Sequence, residues 1–131
     1  MKYILMMSAK KEIFQWYANW PKADLQKNMA FMRQFSQELK DEGVFVATEG
    51  LAWPEQARLV HAGPDGEPVT DGVFPESKEF LAGYWIIDVE SAEHAYKIAA
   101  RVSAAPAPAG TEGTMPIEVR QIMSRAPEDL Q

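Results

Sequence analysis

Residues 83–102, GYWIIDVESAEHAYKIAARV, place a strand immediately before a helix. The strand, Gly83 to Val89, is rich in the aromatic and β-branched side chains that pleated sheets favour. Ser91 offers an N-cap for the helix that follows. The small alanines of that helix allow close packing on a sheet, and its predicted apolar face comprises Ala92, Ala95, Tyr96, Ala99 and Val102.

A similar succession of elements is predicted in the N-terminal half. Residues 2–7 are apolar at consecutive positions, which suits a central strand covered on both faces. Residues 8–20 predict a short helix or a packed loop. Residues 24–42 predict an amphipathic helix of about five turns. Gly43 ends this helix, and residues 44–50 predict the next strand.

The central and C-terminal segments complete the pattern. Residues 58–61 and 68–70 flank a Pro-Asp-Gly turn and predict a small β-hairpin. Residues 103–116 form a long connection without periodicity, and residues 117–123 predict the last strand. This order predicts an α+β, ferredoxin-like β-α-β-β-α-β fold with an inserted β-hairpin and an antiparallel sheet.

The two faces of the predicted sheet differ in how they are covered. Both long helices pack on one face, whereas several strands carry apolar side chains on both faces. A bare apolar face of that size is uncommon on a monomer. We therefore predict a homodimer in which the two sheets pack on each other.

The composition fits one folded, acidic domain. Of the 131 residues 47% are hydrophobic, and 13 basic against 19 acidic side chains give a formal net charge of −6. An acidic chain without a basic cluster argues against nucleic acid as a partner. The absence of cysteine excludes disulfides and thiolate metal sites. The apolar run at residues 3–7 is too short for a signal peptide or a membrane span, so we expect a cytoplasmic protein with no membrane partner.

Residues 69–88, VTDGVFPESKEFLAGYWIID, resemble the YCII-related proteins, in particular the branch named for an Asp-Gly-Pro-Phe (DGPF) motif. Further segments resemble that family in the same order: MKYILM (1–6), GVFVATEGL (43–51), EHAYKIAAR (93–101) and IEVR (117–120). The resemblance covers residues 1–123, so we expect a single domain there and a C-terminal tail at 124–131. It implies a dimeric α/β barrel with a pocket between the strands and the motif loop.

The motif loop departs from the family at one position. Val73 stands where the family has proline, and a proline follows instead at Pro75. Because proline fixes φ, this difference can change the path of the loop and the direction of Asp71. The residues that match the family's motif region by position are Asp71, Gly72, Phe74, Glu76, Lys78 and Glu79.

Asp71 is the candidate catalytic residue. A carboxylate at a loop mouth can act as a general base or accept a hydrogen bond from a ligand. The alternative is that Asp71 only caps its own turn, because Asp-Gly is a common turn dipeptide.

Lys78 could stabilise the carboxylate or bind an anionic ligand, or it could belong to a solvated charged turn. Phe74 is expected to anchor the loop.

Glu118 and Arg120 lie on one face of the last predicted strand. In a barrel that face could line the pocket or the subunit interface, and an inward arginine needs a carboxylate partner, for which Glu49 is a candidate. A structural ion pair across the sheet is the alternative. We take Phe74, Lys78, Glu49 and Arg120 as candidate ligand-binding residues around Asp71.

No metal or cofactor is predicted. His61 and His94 are the only histidines, and neither belongs to a ligand-like spacing. Several aromatic side chains could form the floor of an apolar pocket or simply pack in the core, namely Trp16, Tyr17, Trp20, Trp53, Tyr84 and Trp85.

We interpret the chain as a small-molecule-binding or regulatory protein with a pocket near the Asp71 loop. The alternative is an enzyme that uses Asp71 for acid/base chemistry on a small metabolite.

Overall fold

The computed structural model describes residues 1–71, 79–109 and 115–123. Its elements follow in the order β1 (Lys2–Lys10), α1 (Lys11–Ala18), α2 (Lys22–Asp41), β2 (Phe45–Gly50), a 3-10 turn (Pro54–Gln56), β3 (Leu59–Ala62), β4 (Pro68–Asp71), β5 (Glu79–Asp88), α3 (Ala92–Ser103) and β6 (Ile117–Gln121). The predicted α+β class is confirmed.

The main sheet has four antiparallel strands in the order β2-β5-β1-β6, so β5 and β1 are central and β2 and β6 are the edges. This arrangement is compatible with a ferredoxin-like fold. Within the described parts of the chain, β3 and β4 pair with each other alone, as a separate antiparallel hairpin. In chain order, the hairpin therefore lies between β2, an edge strand of the main sheet, and β5, a central strand.

The two central strands are longer than the sequence pattern indicates. β1 continues to Lys10, where Lys10 lies opposite Glu79, the first residue of β5. The pairing passes a register shift between Met7 and Ser8, after which Ala9 and Phe80 are again buried together. Mutual pairing extends both strands into segments that periodicity alone leaves as loop or helix.

One face of the sheet carries the core. Tyr3 and Leu5 of β1 and Trp85 and Ile87 of β5 alternate inward and are buried. From α2 and α3 they receive Phe35, Leu39, Ala95, Ile98, Ala99 and Val102. We call this the helix face, and the opposite side of the sheet the outer face.

Trp85 fixes how α2 sits on the helix face. Its ring and the Phe35 ring meet edge to face with 5.4 Å between the centroids, and its Nε1 donates a hydrogen bond of 3.2 Å to Ser36 Oγ. A buried indole N–H without an acceptor is costly, so this bond selects one rotation of the helix.

The predicted apolar face of α3 is wrong at one position. Tyr96 is 56% exposed, whereas Ile98 is 1% exposed. Burial instead follows Ala95, Ile98, Ala99 and Val102, the i, i+3, i+4, i+7 spacing of one helical stripe. The predicted N-cap is confirmed, because Ser91 Oγ accepts a hydrogen bond of 3.1 Å from the His94 backbone N–H.

Arg101 ties α3 to α2 at the protein surface. Its guanidinium donates hydrogen bonds of 2.9 Å to both carboxylate oxygens of Glu42 and one of 2.9 Å to Glu38, and it lies 5.4 Å from the Phe35 ring centre. The hydrogen bond from Arg101 holds the pKa of Glu42 below its ordinary value. A bidentate pair of this kind fixes the relative position of the helices.

The long connection after α3 is held to the body at two points. Asn28, which is 7% exposed, donates a hydrogen bond of 3.0 Å from Nδ2 to the Pro106 carbonyl oxygen. The Ser103 hydroxyl donates one of 2.6 Å to the Met115 carbonyl oxygen. Residues 110–114 of the predicted 103–116 connection lie outside the described residues. The described ends of the connection are therefore fixed to α2 and to the end of α3.

Two glycines face each other where β2 pairs with β5. A Cβ added to Gly83 would lie 2.9 Å from the Glu49 carbonyl oxygen, whereas one added to Gly50 would meet nothing within 4 Å. Glycine at position 83 thus permits the close approach of the β2 backbone.

We predict that Gly83→Ala destabilises the protein by about 1–3 kcal/mol, because the β2 backbone must move away from the new methyl group. The matched variant Gly50→Ala, one strand away in the same register, should change the free energy of unfolding by less than about 0.5 kcal/mol. Urea denaturation followed by tryptophan fluorescence measures both. Equal losses in the two variants would contradict the proposed close contact.

Candidate functional site

The outer face of the sheet has an apolar centre and charged edges. Ile4 lies between Ile86 and Arg120, and Met6 lies between Tyr84 and Glu118. Residues directly opposite in antiparallel strands point to the same side, so these six side chains share the outer face. The four on the central strands are half-buried, and the two on β6 are exposed.

Two rows of side chains run across this face. One row is Glu49, Tyr84, Met6 and Glu118, and the next row, two residues along the strands, is Ala47, Ile86, Ile4 and Arg120. Glu49 and Arg120 therefore stand on opposite edge strands. Three strand spacings separate them, about 14 Å. The ion pair between these two residues that the sequence suggests is not formed within one chain.

Asp71 ends β4, and the fold brings a histidine to it. The Asp71 Oδ2 atom lies 3.6 Å from His61 Nε2, with both side chains more than 60% exposed. This distance is within ion-pair range but longer than a direct hydrogen bond. With a proton on both ring nitrogens His61 forms a salt bridge with Asp71, and the pair is then a proton donor beside a carboxylate acceptor.

His61 is a residue that sequence reasoning missed. It lies opposite Val69 in the hairpin, so Asp71, two residues further, is its diagonal neighbour on the same face. The signal was present in the sequence, because a tight Pro-Asp-Gly turn fixes the register of the strands on either side of it. Counting outward from the turn would have placed the two residues at these diagonal positions.

The hairpin itself projects into solvent. All eight residues of its strands are exposed, including the large aliphatic side chains of Leu59, Val60 and Val69. Its turn is closed by Asp65, whose Oδ1 accepts a hydrogen bond of 3.0 Å from the Glu67 backbone N–H, and by Gly66 at φ +83°. The turn is thus capped by Asp65, in the manner that the sequence also allows for Asp71.

Two other predicted site residues lie outside the described residues. Phe74 and Lys78 fall within residues 72–78, as do Gly72 and Val73 of the motif. Of the predicted set, the described structure places Asp71 on the hairpin and Glu49 and Arg120 on the two edges of the outer face.

An open cleft of about 430 Å³ lies beside the N-terminus of α3. Its lining comprises Met1, Glu42, Gly43, Val44, Asp88, Val89, Glu90 and His94. Several of its charges are already used inside the chain. The Met1 ammonium donates to Asp88 and to the Val89 carbonyl oxygen at 2.9 Å each, and Glu42 binds Arg101. This cleft therefore offers a ligand little free charge.

The aromatic side chains do not form a single pocket floor. Trp85 is in the core and Tyr84 is on the outer face. Trp16 and Tyr17 both pack against Trp20, with centroids 5.2 and 4.8 Å away, and burial raises the pKa of the Tyr17 hydroxyl. A further pair, Trp53 and Phe14, meets edge to face at 6.2 Å.

The described residues contain neither a metal-binding cluster nor a membrane-spanning helix. Among residues 1–71, 79–109 and 115–123, no three histidine or carboxylate side chains are grouped to hold a metal ion. Across the same ranges, none of the helices has both the length and the apolar character needed to cross a membrane.

The candidate site thus comprises an apolar outer face with charged edges and an exposed hairpin with a His–Asp pair. A search of curated proteins finds no match to the chain. The model of the YCII-related domain matches residues 1–123, which is almost the whole sequence. The protein therefore belongs to the YCII-related domain family.

Proposed function

We propose that this protein is a homodimeric small-molecule-binding or regulatory protein of the DGPF-motif branch, with a pocket at the hairpin end of the outer face. The observation that carries the proposal is the outer face itself, where half-buried apolar side chains are framed by charges. Ligand sites commonly combine an apolar floor with a few polar groups that orient the ligand.

The floor is supplied by the two central strands. Ile4, Met6, Tyr84 and Ile86 form a continuous apolar strip, and the Tyr84 side chain adds a hydroxyl to it. Glu49 on one edge, and Glu118 and Arg120 on the other, add both signs of charge. Such a surface suits a small molecule with an apolar body and ionic or hydrogen-bonding groups.

The lid of the pocket is proposed to be a second copy of the chain. Among the described residues, those that the helices contribute to the core pack on the helix face, so we assign the cover of the apolar strip to a second copy. Two sheets packed face to face lie about 10 Å apart, which encloses side chains and a small ligand between them. The assembly is a dimeric α/β barrel.

The hairpin supplies the polar rim. β2 ends at Gly50 and β5 begins at Glu79, so the hairpin is attached at the end of the sheet that also holds the row of Glu49, Tyr84 and Met6. Asp71 and His61 are thereby tethered at the mouth of the proposed pocket. There the Asp71 carboxylate accepts a hydrogen bond from the ligand.

The second candidate function is an enzyme that uses Asp71 in acid/base chemistry. The observation in its favour is His61, 3.6 Å from Asp71, because a histidine beside a carboxylate is a common arrangement for general acid/base catalysis. Both groups are more than 60% exposed in the single chain, whereas catalytic pairs usually work in a site that excludes water. We therefore place binding before turnover.

We predict that the protein sediments as a particle of twice the 14.7 kDa chain mass at micromolar concentration. Met6→Glu should shift it toward the monomer, because the substitution puts a charge in the centre of the apolar strip. Val60→Glu, an equally large change on the exposed hairpin, is the control and should remain dimeric. A parent protein that sediments as a monomer would contradict the dimer and the barrel together.

Ligand binding should depend on Asp71. A thermal-shift screen of small organic acids, sugars and aromatic metabolites is expected to find a compound that raises the melting temperature of the parent. Asp71→Asn should keep the free energy of unfolding within about 1 kcal/mol of the parent but lose that shift, because asparagine keeps the shape and loses the negative charge. Asp65→Asn, in the same hairpin, is the control and should retain the shift. If Asp71→Asn keeps the full shift in melting temperature, Asp71 has a structural role and does not bind the ligand.

A substitution of His61 distinguishes the two candidate functions. If the protein is an enzyme, His61→Asn should still bind the compound found in the screen but should convert it at least tenfold more slowly, because the proton acceptor is lost. Proton NMR of the compound incubated with each protein measures conversion directly. A compound that binds and stays unchanged with the parent protein over hours supports the binding function and contradicts the enzymatic one.

A further inference from the structure

An exposed tryptophan and an exposed arginine stand at the two ends of the 3-10 turn that follows β2. Trp53 precedes the turn, Pro54–Gln56, and Arg58 follows it, directly before β3. A hydrogen bond of 3.0 Å from the Gln56 N–H to the Trp53 carbonyl oxygen closes the turn. Neither side chain belongs to the apolar strip or to the His–Asp pair, so the two form a separate surface.

The turn holds the Arg58 guanidinium in place. Its Nη1 atom donates hydrogen bonds of 2.9 Å to the Glu55 carbonyl oxygen and 2.8 Å to the Ala57 carbonyl oxygen. Carbonyl oxygens carry no formal charge, so these bonds fix the group without neutralising it. In the described parts of the chain, no carboxylate lies within ion-pair distance of Arg58.

One edge of this guanidinium faces outward for recognition. No described residue bonds to the edge formed by Nε and Nη2, because both hydrogen bonds of the group leave from Nη1. Two parallel N–H groups on such an edge match the two oxygens of a carboxylate. Since the turn already orients the group, an anion that binds there immobilises little further side-chain freedom.

Trp53 supplies an aromatic surface next to that edge. The Arg58 side chain turns back along the turn to Glu55, which is two residues from Trp53. The Trp53 side chain is 43% exposed, and its ring meets Phe14 of α1 edge to face, with 6.2 Å between the centroids. Indole rings bind planar aromatic groups by offset stacking. A fixed cation and a supported aromatic ring therefore lie on one short segment.

We propose that Trp53 and Arg58 form a binding site for a planar aromatic carboxylate. The ring of the ligand stacks on the exposed part of Trp53, and its carboxylate accepts two hydrogen bonds from the Nε–Nη2 edge of Arg58. The chain has a net charge of −6, so an anion needs a fixed local cation of this kind. The inference goes beyond the proposed function and uses neither Asp71 nor the apolar strip.

Sodium benzoate is the probe, and saturation-transfer NMR measures its affinity. Trp53→Leu and Arg58→Gln should each weaken binding at least about fivefold, because one removes the stack and the other the ion pair. Trp16→Leu and Arg33→Gln are the matched controls, since Trp16 is 42% exposed and Arg33 is also exposed. Both controls should bind within about twofold of the parent.

Ligand analogues test the two halves of the site. Benzamide keeps the ring and loses the charge, and cyclohexanecarboxylate keeps the charge and loses the planar ring. Each should bind at least about fivefold more weakly than benzoate. Inorganic phosphate at the same concentration should not displace benzoate. Equal binding of benzoate and either analogue contradicts the proposal.

Arg58→Lys separates recognition from capping of the turn. Lysine keeps the positive charge and can still donate to the Glu55 and Ala57 carbonyl oxygens, so the melting temperature should stay unchanged. Lysine has no planar edge, so benzoate binding should weaken at least about threefold. Unchanged benzoate binding by Arg58→Lys would contradict bidentate recognition.

The outcomes also separate this site from the proposed pocket. In spectra of the indole N–H groups of the four tryptophans, benzoate should shift the Trp53 signal most. Asp71→Asn should bind benzoate within about twofold of the parent. A parent that does not bind benzoate, or a loss in Asp71→Asn equal to that in Arg58→Gln, overturns the inference. The proposed function is decided separately, by sedimentation and by the Asp71-dependent thermal shift.

Discussion

The antiparallel pairing of β1 with β5 is the interaction on which the rest of the structure depends. It runs from Lys2 opposite Asp88 to Lys10 opposite Glu79, and it joins the two central strands of the sheet. Because side chains alternate along a strand, this register alone decides that Leu5 and Trp85 enter the core and that Met6 and Tyr84 face outward. A slip of one residue would exchange the two faces.

The pairing of the edge strands with β1 and β5 decides which of their side chains lie on the outer face. β6 pairs with β1 so that Arg120 joins the row of Ile4, and β2 pairs with β5 so that Glu49 joins the row of Tyr84. The charges therefore frame the apolar strip at its rims, where a second molecule would meet them. The helix face, in contrast, is already packed within the chain, because Trp85 contacts Phe35 and Ser36 of α2. Stability resides on one face of the sheet, and the proposed recognition resides on the other.

The hairpin has a different physical basis. It is a local structure whose turn is closed by Asp65 and Gly66, and among the described strands its two pair with each other alone. A two-stranded hairpin is marginally stable alone, and this one exposes Leu59, Val60 and Val69. Local pairing nevertheless suffices to bring His61 to Asp71. A ligand that contacts this arm would stabilise it further.

The sequence by itself determined the order of the main elements and several local contacts, although not the full length of β1 and β5. The strand from Gly83, the α2 helix, the Ser91 cap and the hairpin all follow from short-range periodicity and turn chemistry, and even the His61–Asp71 pair could have been counted outward from the turn. Only the tertiary structure decided that Glu49 and Arg120 stand on opposite edges, that Ile98 is buried in place of Tyr96, and that Asn28 binds Pro106. The physical reason is that strand order, helix rotation and loop docking are set by contacts between residues far apart in the chain, whereas periodicity reports only which side chains share a face of one element.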